Sequence, residues 1–325
     1  MMKQIPTYWF PHLEEKIKKI KNHVDEGADD GFVFMTDMHS ECSQHLSPVI
    51  SQYIMEQTGI DRVIVGGDLI NGNKEKEKAL AAYDALLAEL KPLRPYFVRG
   101  NHDQNTDWGP ITPENFFYDA IYRERVMGIA ANECVPGKFY GHMDVPAAKL
   151  RYFLLDTGAR YSEIFDSMDD GYDWATGDTP AYDEQLAYVK EKTAELPADW
   201  GIIVVQHIVL GGCPDGKELI MDIRNQYLLD CLDEIATTPN SPSVVGVFCG
   251  HNHLDRMIIA NGGYPVIALT CDAGDFIASN WDYNYPIRTP GTTNEQAFDV
   301  VQIDRKNRTI YMTRIGAGQD RICHF

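Results

Sequence analysis

The chain has 325 residues, 44% of them apolar and 24% charged, and a formal net charge of −19. No apolar run approaches the roughly 20 residues a membrane helix needs, so the composition excludes an integral membrane protein. The negative balance disfavours bulk nucleic-acid binding, which relies on clustered Lys and Arg displacing counterions from phosphates.

Length alone would allow two domains, but α/β folds often carry this length as one globular unit, and 1–325 reads as a single domain. The N-terminal stretch Met1 to Lys21 has no apolar core like that of a secretory signal, so the expected location is the cytoplasm. Within a helical arm, 1–29, the spacing from Leu13 to Val24 predicts an amphipathic helix. Strand-like and helix-like segments then alternate in a βαβ pattern, with helices expected at Pro48 to Gln57 and Lys74 to Leu90, so the strands they connect should be parallel. The pattern weakens from Gln104, and 104–145 and 160–182 read as insertions over the active edge, the second an Asp-rich loop without calcium-loop spacing. Lys138 to Asp144 and Arg151 to Asp156 predict strands of a second sheet. Helices are expected over Asp183 to Leu196 and Lys217 to Ile235. Past His253 the pattern is β, with strands at Arg256 to Ile259, Pro265 to Thr270, Phe298 to Ile303 and Thr309 to Ile315. Seven cysteines without C-x-x-C spacing read as reduced thiols, with Cys249 as buried strand filler.

Five apolar runs each end in residues of metal-binding type. They lead into Asp37-x-His39, Gly67-Asp68, Gly100-Asn101-His102-Asp103, Gln206-His207 and Gly250-His251-Asn252-His253. Side chains at the carboxyl ends of neighbouring strands converge on one sheet edge, where open α/β folds bind ligands. Each element alone has a plainer use: Asp37 as a strand-end cap, Asp68 as a turn residue, Asn101 as a helix cap, His207 as a core histidine. Their occurrence together and in order describes a two-metal site.

The ordered set resembles the calcineurin-like metallophosphoesterase superfamily over about Phe32 to Asp255, with Leu154-Leu155-Asp156-Thr157 and Glu184-Gln185-Leu186 also fitting its pattern. The resemblance implies a four-layer α-β-β-α sandwich of two mixed sheets with a β-rich C-terminus. It also implies that Asp37, His39 and His253 hold one metal, Asn101, His207 and His251 the other, and that Asp68 bridges both. Carboxylate, amide and imidazole donors without thiolate suit manganese or iron best, with zinc and nickel as alternatives. A hydroxide shared by the ions would be the nucleophile, and His102 would serve the leaving group, oriented by Asn71 or Asp103. His45, His142, Cys42 and Asp272 lie near motif loops and could touch substrate, whereas His12, His23 and His324 are expected in packing or surface roles.

Asn71 and Gly72 stand where the family's protein phosphatases carry an Asp-Arg pair, and Asn71 where its purple acid phosphatases carry an iron-binding Tyr, which disfavours both. The expected activity is hydrolysis of a small phosphodiester or phosphomonoester, the diester slightly ahead. The alternatives are a nuclease of the same superfamily, weakened by the acidic surface, and a non-catalytic scaffold on the same fold. An HNH nuclease reading of His251-Asn252-His253 would need a small ββα unit in a basic protein. Sequence leaves the oligomeric state and the physiological substrate open.

Overall fold

In the computed structural model, which describes residues 3–40, 45–72, 75–105, 117, 119–157, 180–208, 223–272 and 288–325, two six-stranded sheets stack face to face with helices outside both. The first half runs α1 (Phe10–Glu26), β1 (Asp30–Met35), α2 (Ser47–Thr58), β2 (Val63–Val65), α3 (Lys76–Leu90) and β3 (Tyr96–Phe97). After α4 (Asp119–Arg125) come β4 (Gly141–Val145), β5 (Leu150–Leu154), α5 (Pro180–Ala194), β6 (Gly201–Val205), α6 (Ile223–Thr237) and β7 (Ser243–Cys249). The chain ends on β8 (Arg256–Ile259), β9 (Pro265–Ala268), β10 (Ala297–Asp304), β11 (Thr309–Gly316) and β12 (Arg321–His324).

One sheet has the order β12-β11-β10-β1-β2-β3, in which β1, β2 and β3 are parallel and β10 joins β1 antiparallel. The other has the order β4-β5-β6-β7-β9-β8, parallel from β5 to β9 with antiparallel strands at both edges. Strands covered on both faces read as continuous apolar runs, and the alternation within those runs sorts the layers. On β1, Phe32 and Phe34 face the opposing sheet while Val33 and Met35 face α1 to α3. On β6, Ile203 and Val205 point inward while Ile202 and Val204 pack against α5 and α6. Edge contacts of Phe32 with Tyr152 at 5.5 Å and with Phe248 at 5.3 Å join the sheets across the middle. These layers form the four-layer α-β-β-α sandwich.

Helix α1 buries Leu13, Ile17 and Ile20, the three-to-four spacing that the sequence predicts, and stops at Gly27, whose φ of 122° suits only glycine well. Lys16 and Lys19 on the same helix both pair with Asp320, at 2.8 and 2.6 Å.

Several boundaries differ from expectation. Strand β4 begins at Gly141, because Val135 and Tyr140 close a turn before it through a Val135 N–H to Tyr140 carbonyl bond. Strand β12 is an addition: it is short and carries Arg321 and His324, so its alternation is faint, and Arg321 is held by Asp299. Residues 158–179, with nearly all of the expected Asp-rich loop, lie outside the described residues, as do 106–116, 118, 273–287 and the expected helical residues before Ile223. Among the described residues no helix is long and apolar enough to cross a membrane.

Candidate metal centre

Because β1, β2 and β3 are parallel in one sheet, and β6 and β7 in the other, all five motif turns lie at the same end of the sandwich. Backbone bonds lace them together: Asp37 N–H to Gly67 O, His39 N–H to Asp68 O and Gly250 N–H to His207 O. Five non-glycine residues of these turns have left-handed backbones: Asp37, His39, Asp68, His251 and His253, with φ from 43° to 72°. That conformation is disfavoured for side-chain-bearing residues and persists where surrounding structure fixes it, typically at functional sites. The motif glycines are required by close approach. A side chain at Gly100 would overlap Asp68 Oδ1, and one at Gly250 would overlap Asp37 Oδ2.

The turns bring six ligand-type residues into two adjacent triads, Asp37–His39–His253 and Asp68–His207–His251, with the ligand atoms of each triad within 4.8 Å of one another. His39 Nε2 and His253 Nε2 stand 3.0 Å apart, and Asp37 Oδ1 lies 3.2 Å from His253 Nε2. Two basic nitrogens at that separation are stabilised by a shared proton or by a cation. In the second group Asp68 Oδ2 is 2.9 Å from His207 Nε2, while Asn101 Oδ1 lies 3.1 Å from His207 Nε2 and 2.8 Å from His251 Nδ1. Asn101 begins a 3-10 turn but makes no capping bond with its side chain. His207 Nδ1 donates to the Gly66 carbonyl at 2.8 Å, leaving Nε2 with its lone pair turned to the other ligands, as a metal-binding imidazole requires. This donor set fits divalent ions of manganese, iron or zinc type.

Asp37, His39 and His207 have no exposed surface, whereas the His253 side chain is 13% exposed and His102 is 8% exposed. The open side of the centre is therefore lined by His251 and His253, both only partly buried, with His102 beside them. His102 Nδ1 lies 2.6 Å from the Asn71 carbonyl and Nε2 is 3.9 Å from Asp68 Oδ2. Among the described residues the hydrogen bond that orients His102 comes from the Asn71 carbonyl. Asp103 instead accepts the N–H groups of Gly100, Asp68 and Leu69, which ties the two motif turns together. Burial and the Asp68 charge push its pKa up to about 7 against those donors.

Without an ion, burial would lower the His207 pKa, but Asp68 and Asp37 outweigh it and raise it to about 9. Burial and the His207 charge hold His251 down to about 4, and His39 also falls well below its usual range through burial. The same cation keeps Asp68 well below the usual carboxylate range despite its burial. The sign follows. A raised histidine stabilises the metal-free fold below pH 6.5 and loses that contribution as pH rises through about 9. A divalent ion must displace this proton. At pH 7.5, calorimetric Mn²⁺ titrations in buffers of different ionisation enthalpy should report roughly one proton released per chain. Uptake without release would contradict the His207 assignment.

Supports that no motif reveals hold the turns from behind. Arg99, only 1% exposed, grips Asp156 through Nε and Nη2 at 3.0 and 2.6 Å and reaches Asp119 at 2.6 Å, clamping the Gly100 turn to the end of β5. Gln185 on α5 bonds both the N–H and the carbonyl of Asp156. Asp255, two residues after His253, is held by Arg314 and by the Thr270 N–H. An arginine directly before Gly100 is the visible signal, but nothing local identifies its partners.

Of the other residues singled out, His45 and Asp272 form a buried pair at 3.4 Å. His142 instead meets the Tyr188 hydroxyl at 2.6 Å on the edge strand β4. Cys42 lies outside the described residues, and Cys249 is fully buried. His23 is buried against Tyr311, His12 is partly buried and accepts the Gly316 N–H, and His324 lies exposed beside Thr309.

A sandwich of two mixed sheets with paired Asp/His triads at one edge defines a class of dinuclear metal-binding α/β proteins. The calcineurin-like phosphoesterase family model matches residues 31–255, and the chain belongs to that family. A search of curated sequences returned no match. Among solved structures, a dimetal phosphatase from Danio rerio is similar in fold, with TM-score 0.63 and 13% identity over 92% of this chain and 99% of that one. A 5'-nucleotidase from Candida albicans has TM-score 0.44 and 14% identity over 85% of this chain and 48% of that one. The phosphoesterase Yfce from E. coli has TM-score 0.34 and 11% identity over 86% and 91%.

Proposed function

We propose that this protein is a dinuclear metal-dependent phosphoesterase that hydrolyses a small phosphodiester or phosphomonoester, the diester preferred. The observation that carries the proposal is the pair of triads side by side, with Asn101 between His207 and His251 and His102 on the open side. Asp37, His39 and His253 would hold one ion, Asn101, His207 and His251 the other, and Asp68 both, with manganese or iron preferred. When bound, the ions lower the pKa of a water between them and neutralise phosphoryl charge. Buried Asp37 and Asp68 supply the compensating negative charge, which favours cations within the cage over an empty anionic pocket.

His102 performs the remaining proton work. With Nδ1–H donated to the Asn71 carbonyl, the ring directs Nε2 toward the centre, 3.9 Å from Asp68 Oδ2, from which it would serve the oxygen of a departing group. Asn71 and Gly72 stand where the family's protein phosphatases carry an Asp-Arg pair, which disfavours a phosphoprotein substrate, and the net charge of −19 opposes a nucleic-acid substrate.

A chelator-stripped sample assayed on bis-p-nitrophenyl phosphate should be inactive and should regain turnover with Mn²⁺ or Fe²⁺. Absence of turnover with Mn²⁺, Fe²⁺, Zn²⁺ and Ni²⁺, on this diester and on the monoester p-nitrophenyl phosphate alike, would leave the scaffold reading in its place.

A further inference from the structure

Gly66 and Gly250 lack the left-handed backbone that accounts for Gly67. Their reason is a neighbour. A side chain at Gly66 would stand 2.7 Å from Thr36 Oγ1, and one at Gly250 would overlap the same oxygen. Gly66 follows β2 in one sheet and Gly250 follows β7 in the other, so Thr36, just past β1, fills the gap where the two sheets meet at the motif end. It has no exposed surface.

If packing were its only use, a valine of the same shape would serve there without a hydroxyl that is costly to bury unpaired. This hydroxyl is paired. Thr36 Oγ1–H donates to Asp37 Oδ2 at 2.7 Å. The His251 N–H also bonds Asp37, but at 3.0 Å from both oxygens it does not tell them apart. The hydroxyl does. With Oδ2 held by Thr36, Oδ1 is left facing the ligand imidazoles, 3.2 Å from His253 Nε2 and 4.0 Å from His207 Nε2.

The carboxylate torsion of an aspartate is soft, and a hydrogen bond to one oxygen fixes which oxygen the other ligands meet. We infer that Thr36 is a positioning residue of the metal centre: its hydroxyl holds the Asp37 carboxylate so that Oδ1 is presented to the ion that Asp37, His39 and His253 would hold. This rests on the two-ion reading of the site and adds to it a residue that is not itself a ligand.

The test titrates the metal-free full chain with Mn²⁺, followed by calorimetry and by electron paramagnetic resonance, so no turnover is needed. Thr36→Val keeps the shape and loses the hydroxyl, Thr36→Ala loses it with less bulk, and Thr36→Ser keeps it. Both hydroxyl-free variants should bind one of the two ions at least ~10-fold more weakly, while Thr36→Ser stays within about threefold of wild type. At Mn²⁺ levels that give wild type a spin-coupled pair, Thr36→Val should show the signal of an isolated ion. Each affinity is read below the melting temperature of that variant, and if Thr36→Val does not fold, Thr36→Ala carries the comparison. Wild-type affinity for both ions in the hydroxyl-free variants would overturn the inference. So would an equal loss in Thr36→Ser, which would make the contact a matter of packing. Wild type that binds two ions but hydrolyses neither p-nitrophenyl ester, with the Thr36→Val loss intact, would instead remove the catalytic proposal and keep the role of Thr36.

Discussion

Replacing Asp68 with Asn is expected to abolish metal retention and turnover together, with kcat/KM falling by at least ~10³, a loss of about 4 kcal/mol. The reason lies in how both oxygens are used. Asp68 Oδ1 accepts the His102 N–H at 2.8 Å, and Oδ2 stands 2.9 Å from His207 Nε2 with no exposed alternative. An asparagine must keep its oxygen on the His102 N–H, which turns its amide N–H groups toward the space where a cation would sit. The variant also loses the charge that most strongly raises the His207 pKa, so His207 should titrate at lower pH in the metal-free protein. Metal content by elemental analysis together with His207 titration by NMR checks both effects. Full metal occupancy in Asp68→Asn would remove Asp68 from the ligand set.

Replacing His102 with Ala should have a different signature: metals retained, KM little changed, and kcat on esters of weakly acidic alcohols lower by at least ~10². His102 is not a member of either triad, and its ring is held by the Asn71 carbonyl, so its removal leaves the cage geometry standing. Leaving groups separate its possible roles. If His102 delivers a proton to the departing oxygen, the loss should be small for p-nitrophenolate and grow for esters of less acidic alcohols. A loss that is uniform across leaving groups would assign it to stabilising charge on the phosphoryl oxygens instead. Wild-type rates with every ester would exclude both.

The two variants also mark what can be read from the chain. The ligand-type residues are visible because they follow short apolar runs and because Gly67, Gly100 and Gly250 precede them. Those glycines recur for a steric reason: the turns pack so closely that Gly67, at φ 98°, would carry a side chain 2.7 Å from the Gly100 nitrogen. The parallel direction of β1, β2 and β3 is likewise implied by helices lying between apolar strands.

What stays hidden depends on residues far apart in sequence. Arg99 finds Asp156 57 positions away, and Arg314 finds Asp255 59 positions away. No local periodicity encodes such pairs. The choice of Nδ1 on His251 but Nε2 on His207 likewise follows from backbone angles and from the Gly66 carbonyl, neither of which a motif specifies. The orientation of His102 by a main-chain carbonyl carries no side-chain signature at all, which is why Asp103 is an equally reasonable partner until its three amide bonds are seen. Strand β12 escapes notice because four residues with two polar positions give no clear alternation.

Anomalous diffraction at the manganese edge from Mn²⁺-loaded crystals bears most directly on the paired-ion cage. Two adjacent peaks are expected, one within coordinating reach of Asp37, His39 and His253 and the other of Asn101, His207 and His251, with Asp68 touching both. A single peak, or peaks away from these side chains, would contradict the assignment.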